Sequence, residues 1–193
     1  MAHSKKWFIN GTLATAGIIS SLFYFFKNKN KPPQQLKSIP PFFSGQAPYI
    51  LAHRGGMAMR PEQTQLAFDN AVEYGLDGFE TDVRLTKDEQ LIDFHDALVD
   101  RTTNGSGKVS EHTLAELKRL DAGYHFTDIN NQTPYRGHDK AKILSFEELL
   151  ELYPNMYINV DLKDAPDTYE GRIAPKVIFD NIIKHGAQHR VLV

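Results

Sequence analysis

The hydrophobic pattern divides the chain into three stretches. Residues 7–26, WFINGTLATAGIISSLFYFF, form an uncharged apolar run. A helix of that length rises about 30 Å, the thickness of a bilayer core. Trp7 and the 23–26 aromatic cluster lie near its ends, and lysines flank both sides, as at a membrane interface. A cleaved signal peptide is the alternative, but KNKNKPPQQ follows without a small-x-small site. The expectation is a single-pass N-terminal anchor over 1–27, with its side of the membrane unassigned. Residues 28–48 carry five prolines and read as an extended linker. From residue 49 onward, short apolar runs alternate with helical spacing.

Within 49–193 the pattern predicts specific elements. Residues 49–52 read as a buried strand ended by the turn His53-Arg54-Gly55-Gly56. Phe68, Ala71, Val72 and Gly75 follow the spacing of a helix face, after Pro61. Residues 78–85 alternate as a strand, and a polar turn leads to another at 91–95. Residues 100–109 and 128–142 read as loops. Thr113 opens a short helix, and Ser145 and Glu148 stand at capping-box spacing before a second. Residues 157–162 predict a strand, 174–185 a helix, and 190–193 a last strand. Strands alternating with helices indicate a parallel α/β domain. The five expected strands fall short of a complete (β/α)8 barrel of about 250 residues.

Composition adds exclusions. The chain has 22 basic and 24 acidic residues and a net charge of −2, so no basic surplus points to nucleic acid. There is no cysteine, which excludes disulfides, thiolate nucleophiles and Cys-ligated zinc. A metal site has only carboxylates, histidines and water to draw on.

The polar residues gather at expected strand C-termini, where parallel α/β domains place active sites. His53 ends the first strand and His95 the third. Glu80 and Asp82 are two apart on the second strand, hence on one face; Asp161 and Lys163 repeat that relation on the fourth. Three carboxylates on one face call for neutralisation, which a divalent cation with oxygen ligands supplies. Two histidines suit acid–base work near neutral pH, and Arg54 and Lys163 favour a phosphate. The residues together read as metal-assisted cleavage of a phosphate ester. Taken singly, each has a plainer reading, such as a strand-end histidine or a solvated Glu-x-Asp face.

The motifs resemble the glycerophosphodiester phosphodiesterase family. They are His53-Arg54-Gly55 with Pro61-Glu62-Gln63-Thr64; 75–83, GLDGFETDV; Thr86-Lys87-Asp88, His95-Asp96 and Arg101-Thr102-Thr103; and 159–163, NVDLK. The resemblance implies a TIM barrel, here with its C-terminal part missing beyond about five strands, and a divalent cation, Ca²⁺ or Mg²⁺. It implies that His53 and His95 are the acid–base pair. Glu80, Asp82 and Asp161 would be metal ligands, with Glu62 near the metal and Arg54 and Lys163 on the substrate phosphate. The implied reaction converts a glycerophosphodiester to glycerol 3-phosphate and an alcohol. A membrane-anchored, lysophospholipase D-like subgroup would add lysophospholipids as substrates and the bilayer as a partner. A catalytically inactive, membrane-anchored fragment of such an enzyme is the alternative; a related barrel phospholipase fits the motifs less well. Three positions depart from the family pattern: Gln63 replaces Asn, Asp161 replaces Glu, and Asp93 stands where an apolar residue is usual. Asp93 is expected on the face of His95, toward the barrel interior.

Overall fold

The computed structural model describes residues 48–193. The expected anchor over 1–27 and all of the linker except Pro48 lie outside the described residues. Among the described residues no helix is long and apolar enough to cross a membrane.

Four strands build a parallel wall. β1 (Leu51–His53), β2 (Gly78–Leu85), β4 (Tyr157–Leu162) and β5 (Val191–Leu192) lie side by side in that order, and each neighbouring pair is parallel. β3 (Leu91–Asp93) pairs antiparallel with the far end of β2. All five expected strands are present, but the third is a hairpin arm and not part of the parallel wall. The cause is the connection: Thr86 N–H bonds to Gln90 O at 2.8 Å. Such a tight turn joins only antiparallel strands, because a parallel crossover needs a dozen residues or more. β3 also stops at Asp93, so His95 lies in the loop beyond it and not on a strand end.

One face of the wall is the core. Ala52, Phe79, Val83, Ile158 and Val160 are buried there. Helices α1 (Gln65–Glu73), α3 (Phe146–Leu152) and α4 (Tyr169–Lys184) cover them, supplying Phe68, Ala71, Leu149, Leu150, Ile178 and Ile182. The Phe79 ring sits 4.7 Å from Phe68 and 5.1 Å from Tyr153, centroid to centroid. Val72, expected on the buried face of α1, is 44% exposed. The predicted capping box opens α3: the Ser145 hydroxyl accepts from Glu148 N–H, and the Glu148 carboxylate accepts from Ser145 N–H.

Two glycines are required sterically. A Cβ on Gly78 would lie 2.0 Å from Tyr157 O, so only glycine lets β2 and β4 meet there. Gly55 has φ +74, and its Cβ would lie 2.9 Å from Phe68 Cδ1. That contact seats the His53–Gly56 turn on α1.

The segment between β3 and α3 has its own small core of Ile92, Phe94, Val99, Val109, Leu117, Ala122 and Ile143. A short helix α2 (Leu114–Leu117), capped by Thr113, lies within it. This core holds the loop that carries His95, Asp96 and Arg101.

Candidate active site

The strand register aligns the polar residues in rows on the face opposite the helices. His53 pairs with Glu80, Glu80 with Asn159, and Asn159 with Leu192, forming one row across the four parallel strands. Asp82 pairs with Asp161 in the next row toward the strand C-termini. The i, i+2 reading of Glu80 with Asp82 thus holds, and His53 lies beside it.

After β1 the chain reverses sharply, with Arg54 at φ 50. Gln63, in the segment leading to α1, is also left-handed at φ 55. Side chains other than glycine adopt such backbone at a cost of order 1–3 kcal/mol, and such strain clusters at functional sites. Here the reversal turns Arg54 back onto the sheet. Its N–H donates to Glu80 Oε2 at 3.1 Å. Its guanidinium pairs with Asp82 Oδ2 at 3.3 Å and Glu62 Oε1 at 3.0 Å.

From there the charges alternate along a continuous belt. Lys163 Nζ lies 2.6 Å from Asp161 Oδ2 and 2.9 Å from Asp82 Oδ1. Asp82 meets Arg54, and Arg54 meets Glu62. Arg101 donates twice to Glu62, at 2.7 and 3.0 Å, and then to Asp96 Oδ2 at 2.5 Å. Asp96 Oδ1 lies 2.6 Å from His95 Nδ1. Burial pushes the Glu62 carboxyl up, but Arg101 and Arg54 outweigh it and hold it below its ordinary value. The Arg101 hydrogen bond, aided by His95, brings Asp96 down to about 2. Paired with two carboxylates, the Arg101 guanidinium is pushed further up.

This pairing sets the His95 tautomer. Asp96 is an anion and only accepts, so His95 Nδ1 carries a hydrogen, and in the neutral ring Nε2 presents the lone pair. Arg84, at the end of β2, anchors the neighbouring backbone. Its Nε donates to His95 O at 2.9 Å, and its Nη1 donates to Asp164 Oδ1 at 2.8 Å and Lys163 O at 3.4 Å. His53 is more exposed, with Nε2 3.7 Å from Glu80 Oε2.

Most expected residues therefore meet: His53, Arg54, Glu62, Glu80, Asp82 and Lys163 share one network, and His95 joins through Asp96 and Arg101. Asp161 touches it through Lys163, with a side chain that is 55% exposed. Asp96, Arg101 and Gln63, which lie within the family-like motifs, and Arg84 beside them take places in the network that no sequence pattern signals. Asp93 departs from its expected place. It pairs with Val83 and so points to the helix-covered face, away from His95.

Among the described residues no group of three or more His, Asp or Glu side chains is arranged to hold a metal ion. The donor chemistry still fits a hard divalent cation. Glu80, Asp82 and Asp161 offer only carboxylate oxygens, and positive charge already collects on two of them, with the Lys163 ammonium bridging Asp82 and Asp161. Beside Glu62 and Arg101 lies a cavity of about 370 Å³, lined also by Met57, Pro61, His125 and Phe126.

Comparison with known proteins places the chain among characterised and solved relatives. A glycerophosphodiester phosphodiesterase of Caldanaerobacter subterraneus is 39% identical over 146 residues, covering 75% of this chain and 56% of that protein. One from Bacillus subtilis is 40% identical over 124 residues, covering 63% of this chain and 41% of that protein. The chain thus spans about half the length of the curated relatives it matches. The glycerophosphoryl diester phosphodiesterase domain of a Mycobacterium tuberculosis protein superposes with a TM-score of 0.66 at 28% identity, covering 76% of this chain and 52% of that one. An Oleispira antarctica phosphodiesterase, solved with its product sn-glycerol-3-phosphate, gives 0.61 at 29% identity, covering 72% and 53%. The parallel wall is accordingly part of a TIM-barrel-like fold. The family's sequence model matches residues 53–181, from the histidine that ends β1 to well inside α4, and the chain belongs to the glycerophosphoryl diester phosphodiesterase family.

Proposed function

We propose that this chain carries the phosphate-cleaving site of an enzyme that hydrolyses glycerophosphodiesters to glycerol 3-phosphate and an alcohol. The observation that carries the reading is the belt from Lys163 through Asp82, Arg54, Glu62, Arg101 and Asp96 to His95. It sets three cations, Lys163, Arg54 and Arg101, and an oriented imidazole in one connected row. The Oleispira relative with bound sn-glycerol-3-phosphate supports the substrate class.

In this reading Arg54 and Lys163 bind the phosphoryl oxygens. His95 Nε2 takes the proton of the attacking hydroxyl, whether water or a substrate hydroxyl, while Asp96 holds the ring and stabilises the imidazolium. The P–O bond to the leaving alcohol breaks, and His53, beside Glu80, gives its proton to the departing oxygen; where a substrate hydroxyl has attacked, the cyclic phosphate formed is then opened by water to glycerol 3-phosphate. A divalent cation, Ca²⁺ or Mg²⁺, held by Glu80, Asp82 and Asp161 with Glu62 nearby, would offset charge on the phosphoryl oxygens. Lysophospholipids are a second substrate class and a single-pass membrane location the setting, both resting on the 7–26 run.

The chain's span of about half its relatives favours one further reading: that the stretch by itself is catalytically inactive. Both readings are tested by following glycerol 3-phosphate release from glycerophosphocholine, glycerophosphoethanolamine and lysophosphatidylcholine. Each is assayed with Ca²⁺, with Mg²⁺ and with chelator. Cation-dependent release supports the first reading, and a folded, cation-supplied protein without turnover supports the second.

A further inference from the structure

The segment between α2 and α3 carries a tight turn that holds an aliphatic side chain in open solvent. Asp128 N–H donates to Gln132 O at 2.8 Å, and Asn131 N–H donates to Asp128 O at 2.9 Å. The Asp128 carboxylate accepts from the N–H groups of Asn130 and Gln132, at 2.9 and 2.8 Å. Asn131 takes left-handed backbone at φ 58. These bonds shape the tip without the Ile129 side chain, and that residue is 97% exposed. Polar residues and glycine usually fill such turns.

One exposed apolar residue is ordinary, but this one has company. Tyr124 on the same segment, and Met57 and Met59 after β1, are exposed as well. The two segments meet. His125 and Phe126 line the cavity beside Glu62 and Arg101 together with Met57. Two cations stand among these side chains. The Arg60 guanidinium lies 5.4 Å from the centre of the Tyr135 ring, and that of Arg136 lies 4.5 Å from the Tyr124 ring. Arg60 Nη1 donates to Met59 O and Arg136 Nε to Tyr124 O. Among the described residues neither forms an ion pair with a carboxylate, unlike Arg54, Arg84 and Arg101. Each keeps guanidinium hydrogens for an anionic oxygen from outside.

An aliphatic tip, tyrosine, methionines and unpaired arginines together match a layer of phospholipid head groups over acyl chains. Aliphatic side chains enter its boundary, tyrosine rings sit at head-group level, and arginine holds phosphate oxygens. A side chain standing as clear as Ile129 suits a fluid layer, which opens around it. A protein partner would need a pocket shaped to receive it. We propose that the 124–136 segment and the 57–60 turn dock this chain on a phospholipid surface, with Ile129 entering the layer and Arg60 and Arg136 on its phosphates. Docked in this way, the cavity lined by Glu62 and Arg101 faces the lipid, and a lysophospholipid head group has a short path to the belt. That path rests on the proposed reading of the site; the docking does not.

The test uses the full chain, which has no cysteine, so a single introduced thiol carries the only label. Ile129→Cys and Phe179→Cys are each labelled with the environment-sensitive dye NBD. Phe179 is also exposed, at 61%, but lies on α4. Neither substitution removes a buried side chain, so the fold is kept. Iodide quenching and dye emission are read with and without vesicles of phosphatidylcholine and phosphatidylglycerol. With vesicles, position 129 is expected to be quenched several-fold less and to emit further to the blue, while position 179 is unchanged. Adding Arg60→Gln and Arg136→Gln to the 129-labelled chain weakens docking by about fivefold per cation. Equal quenching at 129 and 179 with vesicles present overturns the proposal. Protection of position 129 without vesicles overturns it too, because it marks a contact between protein molecules. Turnover of lysophosphatidylcholine is followed separately. A chain that docks without hydrolysing it overturns the lysophospholipid reading of the site and leaves the docking surface standing.

Discussion

The Lys163 ammonium approaches Asp82 Oδ1 to 2.9 Å, while Arg54 approaches the other oxygen of the same carboxylate to 3.3 Å. Asp82 is almost completely buried, and the two cations cover one of its oxygens each. Both are also the groups proposed to hold the substrate phosphate.

Lys163→Met is therefore expected to move two measurements in opposite directions. Cation affinity rises in a Ca²⁺ or Mg²⁺ titration, because a competing positive charge leaves Asp82 and Asp161. Turnover falls by about 10²-fold, as for other lost electrostatic contacts to a transition state. A fall in both would mean that Lys163 mainly holds the carboxylates in shape.

Asp96 makes the fold sensitive to acid. Its folded value of about 2 lies below its ordinary 3.8 because Arg101 and His95 favour the anion. A depressed carboxyl stabilises the fold above its unfolded value and loses that contribution as pH falls through the folded one. The parent should thus lose stability between about pH 4 and pH 2 more steeply than Asp96→Asn. Urea unfolding at several pH values reads the difference; parallel curves would show that the Arg101 pairing is not felt.

Arg84 should separate activity from folding. It holds the carbonyls of both His95 and Lys163. Arg84→Met is predicted to lower kcat by about 10-fold through misplacement of these groups. A loss confined to KM would argue against positioning.

Gly78→Ala is predicted to lower stability by about 3 kcal/mol, since the new methyl would meet Tyr157 O at 2.0 Å. The urea midpoint reports it. A near-neutral result would mean that the β2–β4 pairing gives way locally.

Much of this architecture could be read along the chain. The Glu80/Asp82 face, the Ser145–Glu148 cap and the strands at 78–85 and 157–162 rest on local periodicity, which tertiary contacts reinforce. The antiparallel β3 was readable in principle, because its link to β2 is too short for a crossover. α4 begins at Tyr169, earlier than its pattern suggests. Gly171 and Pro175 disguise its first turns, while Thr168 caps them. Arg190 is buried with its guanidinium on the carbonyls of Leu150, Tyr153 and Met156, a cap on the end of α3 that comes from 34 to 40 residues away. No local pattern announces such a contact. The side of the sheet taken by Asp93 depended likewise on pairing register. Asp96 and Arg101 lay inside recognised motifs, yet their role follows only from distances to His95 and Glu62.

The most direct test is ³¹P NMR of glycerophosphocholine incubated with the protein and saturating Ca²⁺ or Mg²⁺. The account predicts that the diester signal is replaced by that of glycerol 3-phosphate, and that His95→Asn and His53→Asn leave the diester intact. Phosphocholine as the product, or turnover that survives loss of both histidines, would contradict it.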